Sequence, residues 1–170
     1  LDWNVCLGDW GVSSFTNKHL TYLIQPVALR SPEVLIGAPW DWTTDWWNLG
    51  CVILEVFRGV RMFPGKESQY TPYALKVHLK QIVNFFGPFP RSLLDQGDPT
   101  IVNTMFNDDG TIKDGQPGPH RKLSDDDYMG DLSQELRESF VDFLNTLMKV
   151  DPKERHPTQT LIDHPWIDLA

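Results

Sequence analysis

Between residues 44 and 58 the apolar positions fall on adjoining helical stripes, with Trp46, Leu49, Ile53 and Phe57 on one and Trp47, Gly50 and Leu54 beside it. Steps of three and four residues place side chains on one helical face, so this stretch predicts a helix running to about Arg58. Thr44 is its expected cap, Asp45 sits in the favourable first turn, and Gly59 is the expected stop. A helix apolar on most sides is expected to be central and buried. A second stripe, Leu75, Leu79, Ile82, Val83 and Phe86, predicts an amphipathic helix opened by Thr71-Pro72 and ended by Gly87-Pro88. A third helix is expected from about Ser133 to Met148, turning Leu136, Phe140, Phe143, Leu144 and Leu147 inward, and a last short one after Pro157.

Elsewhere the periodicity lapses. Val5 to Leu7 reads as a short buried strand ended by Gly8-Asp9-Trp10-Gly11. Val12 to Ser31 has no period and predicts a long loop, a feature that in compact domains is often functional. Pro88 to Asp131 is rich in Gly, Pro and Asp and predicts an irregular insert with a short helix near Thr100 to Phe106. No internal repeat is present, and the fold class is mainly α with little sheet.

The bulk properties narrow the classes. The 170 residues are 41% hydrophobic and 22% charged, which suits one globular unit with a real core. With 23 acidic against 15 basic residues, a net charge of -8 repels phosphate backbones and argues against direct nucleic-acid binding. The same charge favours a basic peptide or protein partner, or simply solubility. Cys6 and Cys51 each lie in an apolar run without C-x-x-C spacing, and are expected as buried, unpaired thiols of a reducing, intracellular compartment, cytoplasm or nucleus. No apolar stretch is long enough to span a bilayer, so no membrane partner is expected. The chain opens at Leu1-Asp2-Trp3 without an initiator Met, which is expected of a piece of a longer protein or of an odd gene model.

Five short motifs then occur in a fixed order: Asp9-Trp10-Gly11, Arg30-Ser31-Pro32-Glu33, Asp45-Trp46-Trp47-Asn48-Leu49-Gly50, Asp151-Pro152-Lys153-Glu154-Arg155 and His164-Pro165-Trp166. Each alone is weak. The ordered set resembles eukaryotic-type protein kinases from the D-x-G turn to the end of the large lobe, over essentially the whole chain. Arg30 directly before Ser31-Pro32-Glu33 is similar to the CMGC group, which holds the cyclin-dependent, MAP and SR-protein kinases. The run from Ser31 to Gly37, and Met105-Phe106-Asn107 before the Asp108-Asp109-Gly110 turn, look like the SR-protein kinase branch.

The resemblance implies the helical C-lobe of the kinase fold, with a short leading strand and a CMGC-type insert. Residues 1–170 would form a partial kinase domain, with an activation segment at about 9–33 and the insert at about 88–131. It implies phosphoryl transfer from ATP to protein Ser/Thr, with ATP and Mg2+ bound by the complete domain. Asp9 matches the carboxylate that holds magnesium against the phosphates, and Gly11 frees the backbone that aims it. Glu33 matches the acid that pairs with a distant arginine, here Arg155, and ties the segment's end to the helical core. Asp45 matches a helix-start carboxylate that accepts N–H groups from the catalytic loop. Arg30 and Trp47 match structural positions of the same frame. The implied partners are a protein or peptide substrate, Arg/Ser-rich and basic, and the kinase N-lobe.

The Gly-rich loop, the phosphate-anchoring Lys with its Glu partner, and the H-R-D catalytic loop precede D-x-G in this family, and the 170 residues contain none of them. No catalytic base is therefore expected here, and the chain by itself is expected to be inactive. The rival expectation is a truncated or degenerate kinase fold serving as a protein-interaction scaffold. His120-Arg121-Lys122-Leu123 only imitates H-R-D-L and reads as a solvated loop. Gly59 to Lys66 only imitates a phosphate loop and reads as a helix-end turn. Asn107 to Gly110 fails as a calcium loop, since Met105 and Gln116 take the end ligand positions. The chain also departs from the family. Pro26 and Leu29 stand where Thr and Tyr are usual, Trp10 replaces Phe or Leu, and Val60-Arg61 follows Gly59 where SR-protein kinases place an acid.

Overall fold

The computed structural model describes residues 6, 8, 10–59, 61–114, 121–155 and 158–169, the side chain of Leu169 excepted. Val5, Leu7 and Asp9 lie outside the described residues, and with them the expected leading strand and its D-x-G aspartate. So do Val60, Gln116 and His120.

The described chain is mainly helical. In chain order it forms α1 (Pro32–Leu35), α2 (Thr44–Arg58), α3 (Leu75–Phe86), α4 (Arg91–Leu94), α5 (Pro99–Met105), α6 (Asp126–Met129), α7 (Gln134–Leu147), α8 (Thr158–Ile162) and α9 (Pro165–Leu169). Short 3-10 turns occupy Trp10–Val12, Val27–Leu29 and Pro152–Glu154. The expected 12–31 loop is thus a loop with a turn at its far end, together with a single bridge between Phe15 and Lys18.

The core is one cluster. Trp47 and Leu54 of α2, Leu79 and Ile82 of α3, and Phe140, Leu144 and Leu147 of α7 meet in it with almost no exposure. Phe63 and Phe86 pack tilted against the Trp47 ring at centroid distances of 5.7 and 5.4 Å. Gly50 lets α2 and α7 approach closely, because a Cβ there would lie 2.5 Å from Met148 Cγ. Phe140 and Phe143 stack on Trp166, which seats α9 on α7.

Several local expectations are corrected. Thr43, not Thr44, is the N-cap of α2, and Thr44 is its buried first residue. α2 is not apolar-covered on most sides: Leu49, Val52, Val56 and Phe57 are exposed, Val56 by 81%. The partners of α2 are the apolar core, α7 and the Val27–Leu29 turn, and Phe57, though exposed, still packs edge-on against Phe140 and Trp166. α3 begins at Leu75 rather than at Thr71-Pro72. The Thr71 hydroxyl is instead used in a turn, accepting from the Glu67 and Ser68 N–H groups and donating to Ser68 O. The insert carries α4 and α6 besides the expected α5, and Arg58 ties it to α2 through Tyr128 O and Asp131. Cys51 is buried as expected, but Cys6 is exposed, with no described strand beside it; both are free. Among the described residues no helix is long and apolar enough to cross a membrane.

Candidate functional site

The elements converge where the 12–31 loop runs into α1 and meets the start of α2. Ser31 precedes Pro32, a residue preset for the first helical turn, and α1 buries all of Pro32, Glu33, Val34 and Leu35. Arg155 reaches this point from the end of the Pro152–Glu154 turn, which Asp151 caps by accepting from Lys153 N–H at 3.0 Å.

The Arg155 guanidinium donates twice to Glu33, Nη1 to Oε1 and Nη2 to Oε2, both at 2.7 Å, and neither side chain has any exposure. Nη1 also donates to Thr43 O at 2.9 Å and Nε to Lys149 O at 3.0 Å. The guanidinium lies over the Trp47 ring, 5.7 Å from its centroid. The planar fork matches the carboxylate, and its remaining donors go to carbonyls, so the buried charges are both paired and hydrogen-bonded. This one side chain clamps α1, the start of α2 and the turn after α7.

A second, uncharged hub lies beside it. Gln25 has φ 68, a left-handed backbone uncommon for a non-glycine residue. Its Nε2 donates to Thr44 O at 2.9 Å and Thr44 Oγ1 at 3.1 Å, and its Oε1 accepts from Ser31 N–H at 2.8 Å. The Ser31 and Thr44 hydroxyls meet at 2.5 Å. Arg30 donates from Nε to Ile24 O at 3.1 Å and from Nη2 to Gln25 O at 3.2 Å, which holds the unusual turn. Asn48 Nδ2 reaches Leu29 O at 3.3 Å.

Of the residues singled out from sequence, Arg30, Glu33, Trp47 and Arg155 come together here. Asp45 lies in the adjoining first turn of α2. Burial raises its carboxyl above the ordinary value, and no donor among the described residues reaches it. Gly11 sits in an exposed turn apart from the cluster. Asp9 is outside the described residues. Among the described residues no group of three or more His, Cys, Asp or Glu is placed to hold a metal ion.

Gln25 was not singled out from the sequence. Its signals there were slight: one amide in the run Leu23-Ile24-Gln25-Pro26, just before a proline that restricts its backbone. His78 was missed as well. It is wholly buried under Phe63 and Tyr73, and burial, then the Arg30 charge, lowers its pKa to about 4.

Comparison with known proteins bears on what this arrangement belongs to. The pattern of the protein kinase domain matches residues 2–167. The serine/threonine-protein kinase SKY1 of Saccharomyces cerevisiae is 32% identical over 165 residues, covering 95% of this chain and 21% of that protein. The serine/threonine-protein kinase SRPK of Physarum polycephalum is 30% identical over 96% of this chain and 38% of its own length. The dual specificity protein kinase CLK1 of Homo sapiens is 26% identical over 95% of this chain and 32% of its own length. The chain therefore spans well under half of each of these relatives.

Proposed function

The chain belongs to the protein kinase domain family, among relatives of the SRPK, CLK and DYRK types of the CMGC group, and from that premise we propose that it is the helical, substrate-side lobe of an ATP-dependent protein serine/threonine kinase. The observation that carries this reading is the buried two-pronged pair of Glu33 and Arg155. It fixes the end of an otherwise loosely packed 12–31 segment onto a rigid helical frame. A segment that must present a peptide to a phosphate donor needs such a fixed end, because misplacement by about 1 Å can cost roughly a hundredfold in rate.

In this reading residues 9–33 are the activation segment, with Gly11 as its flexible start, and residues 88–131 are the insert. Asp9 would hold magnesium, which neutralises the phosphate oxygens when bound; that assignment rests on the sequence. Asp45, raised by burial and without a described donor, would accept N–H groups from a catalytic loop packed against α2. The exposed positions Leu49, Val52 and Val56 would take the rest of that preceding segment, burying apolar surface now facing water. The partners are a protein substrate and the kinase N-lobe, and the compartment is intracellular. The Arg/Ser-rich substrate expected from the resemblance is one candidate at this level.

Because the phosphate-anchoring Lys and the H-R-D base are absent from these 170 residues, the chain alone transfers no phosphate. The test is transfer from ATP with magnesium to a Ser-containing peptide, using the purified chain. Background-level incorporation is expected. Activity that disappears on Asp9→Asn would overturn this part of the reading. The scaffold alternative draws on one observation: Pro26 and Leu29 offer no hydroxyl at the positions where the family carries Thr and Tyr.

A further inference from the structure

Residues 122–131 are the part of the insert tied to both α2 and α7. Leu123 and Met129 are their buried anchors. Between the anchors the chain turns outward: Ser124 and Asp125 are half-buried, and Asp126 and Asp127 are exposed. Arg58 of α2 holds the far end, its Nε donating to Tyr128 O at 2.9 Å and its guanidinium pairing with Asp131. Arg137 of α7 holds the near end, its Nη1 donating to Ser124 O at 3.3 Å and to Asp126 Oδ1 at 2.7 Å. The Nε of Arg137 is buried and has no partner among the described residues. A guanidinium carries several donors in a fixed fork, so Arg137 stands beside Ser124 with donors to spare.

Ser124 differs from the other hydroxyl residues that have an acid three positions on. Ser92 lies in α4 and donates to Asp151, Thr111 donates to Asp109, Ser139 lies within α7 and Thr160 within α8. Ser124 is in a turn outside any helix, and its hydroxyl has no hydrogen bond among the described residues. Three carboxylates follow it in a row, Asp125, Asp126 and Asp127. The turn is held locally, by Asp125 N–H to Lys122 O at 3.0 Å and Lys122 N–H to Asp125 Oδ2 at 2.9 Å, and α6 is a helix of four residues. So short a helix opens at little cost, which lets the stretch enter an enzyme's cleft. Arg121 feels the charges of Asp125 and Asp127, and Arg137 pairs with Asp126. Added negative charge at Ser124 therefore does not meet an uncompensated acidic patch.

We infer that Ser124 is a phosphorylation site, modified by a separate kinase that reads carboxylates on the carboxyl-terminal side of its target hydroxyl, and that Arg137 then holds the phosphate. In the transfer a bond forms between Ser124 Oγ and the γ-phosphorus of ATP. The bond from that phosphorus to the β–γ bridging oxygen breaks, ADP leaves, and the hydroxyl proton passes to the modifying enzyme's base. Cationic groups beside that enzyme's acceptor site recognise Asp125 to Asp127 by opposite charge. A phosphate dianion is a stronger acceptor than a carboxylate. It draws Arg137 from Asp126 onto itself and ties the insert more firmly to α7. The inference does not depend on the activity of this lobe.

The experiment incubates the 170-residue chain with ATP, magnesium and an acid-directed serine/threonine kinase, beside a free peptide of residues 121–128 that checks acceptance of this sequence. Peptide mapping by mass spectrometry is expected to place phosphate on Ser124 and none on Ser92, Thr111, Ser139 or Thr160. Ser124→Ala is expected to abolish incorporation. Asp127→Asn, a change at an exposed side chain, is expected to slow it about tenfold. Phosphorus NMR then follows the second ionisation of the phosphate, ordinarily at about pH 6. In phosphorylated Arg137→Gln, its fold checked by circular dichroism, the midpoint is expected about half a pH unit or more above that of the phosphorylated parent, because a nearby cation favours the dianion. An unmodified Ser124 in the folded chain, incorporation unmoved by Asp127→Asn, or equal titration midpoints would overturn the inference. None of these readouts measures transfer by the chain itself, so their failure leaves the kinase reading standing. Failure of the kinase reading would appear instead as an inert assembly in a transfer assay.

Discussion

Arg155 and Glu33 are separated by 122 positions in sequence and joined by two hydrogen bonds of 2.7 Å in a site from which water is excluded. Both groups are desolvated, so removing either strands the other as an uncompensated buried charge, a loss of about 3–5 kcal/mol. That is a large share of the roughly 5–15 kcal/mol a domain holds in total. Arg155→Ala should therefore lower the urea or thermal midpoint steeply. Arg91→Ala is the fitting control, because it removes only an exposed i,i+4 pair with Asp95, worth a few tenths of a kcal/mol. Arg137, which the helical pattern places on the outer face of α7, does not serve, since it bonds Asp126 at 2.7 Å and Ser124 O at 3.3 Å. A double-mutant cycle of Arg155→Ala with Glu33→Ala should show coupling of more than about 1 kcal/mol. Independent, small effects would mean that the pair does not hold the segment.

His78 gives the fold a pH dependence with a definite sign. Its pKa falls from 6.5 to about 4 on folding, chiefly because burial disfavours the charged ring. Its Nε2 has no partner among the described residues, and its Nδ1 is 3.4 Å from the Tyr73 hydroxyl. Between these values the unfolded chain takes up a proton that the folded chain refuses. Its contribution is fully present above about pH 6.5 and is lost as pH falls toward 4, by up to about 3 kcal/mol. Chemical denaturation at a series of pH values checks this. In His78→Leu the slope through that window should flatten; an unchanged slope would assign it to other groups.

Two glycines with left-handed backbones should respond unequally to alanine. Gly59 ends α2 at φ 65 with open space around its missing Cβ, so Gly59→Ala meets only the conformational penalty of about 1–2 kcal/mol. Gly110, at φ 78, has the Phe89 carbonyl oxygen 2.1 Å from where a Cβ would be. Gly110→Ala adds a backbone clash that no rotamer relieves, and should be the more destabilising in the same unfolding assay. Equal midpoints would show that the insert turn gives way at little cost.

How much of this was legible in the sequence depended on the range of the forces. α2, α3 and α7 were readable because their stripes repeat within a few residues, and Gly59 and Ser133 mark ends by local chemistry. Glu33 and Arg155 were readable only through motif order, since no local rule joins positions so distant. The exposed face of α2 was misread because periodicity reports which positions are apolar, not whether a partner covers them. The start of α3 was misread because Thr71 can cap a turn as readily as a helix. Gln25 was invisible because its role depends on a left-handed backbone that Arg30, Ser31 and Thr44 jointly impose.

The central claim is that these residues supply the helical half of a protein kinase. Its most direct test supplies the motifs they lack. The chain would be co-expressed with an amino-terminal kinase segment that carries a Gly-rich loop, its strand Lys and an H-R-D loop and ends before D-x-G. Phosphate transfer from ATP to Ser-containing proteins would then be measured with magnesium present. The account predicts a stable pair that transfers phosphate, with transfer lost on Asp9→Asn and the pair left intact. A stable, ATP-binding pair that transfers no phosphate to any Ser or Thr would contradict it and leave the scaffold reading in its place.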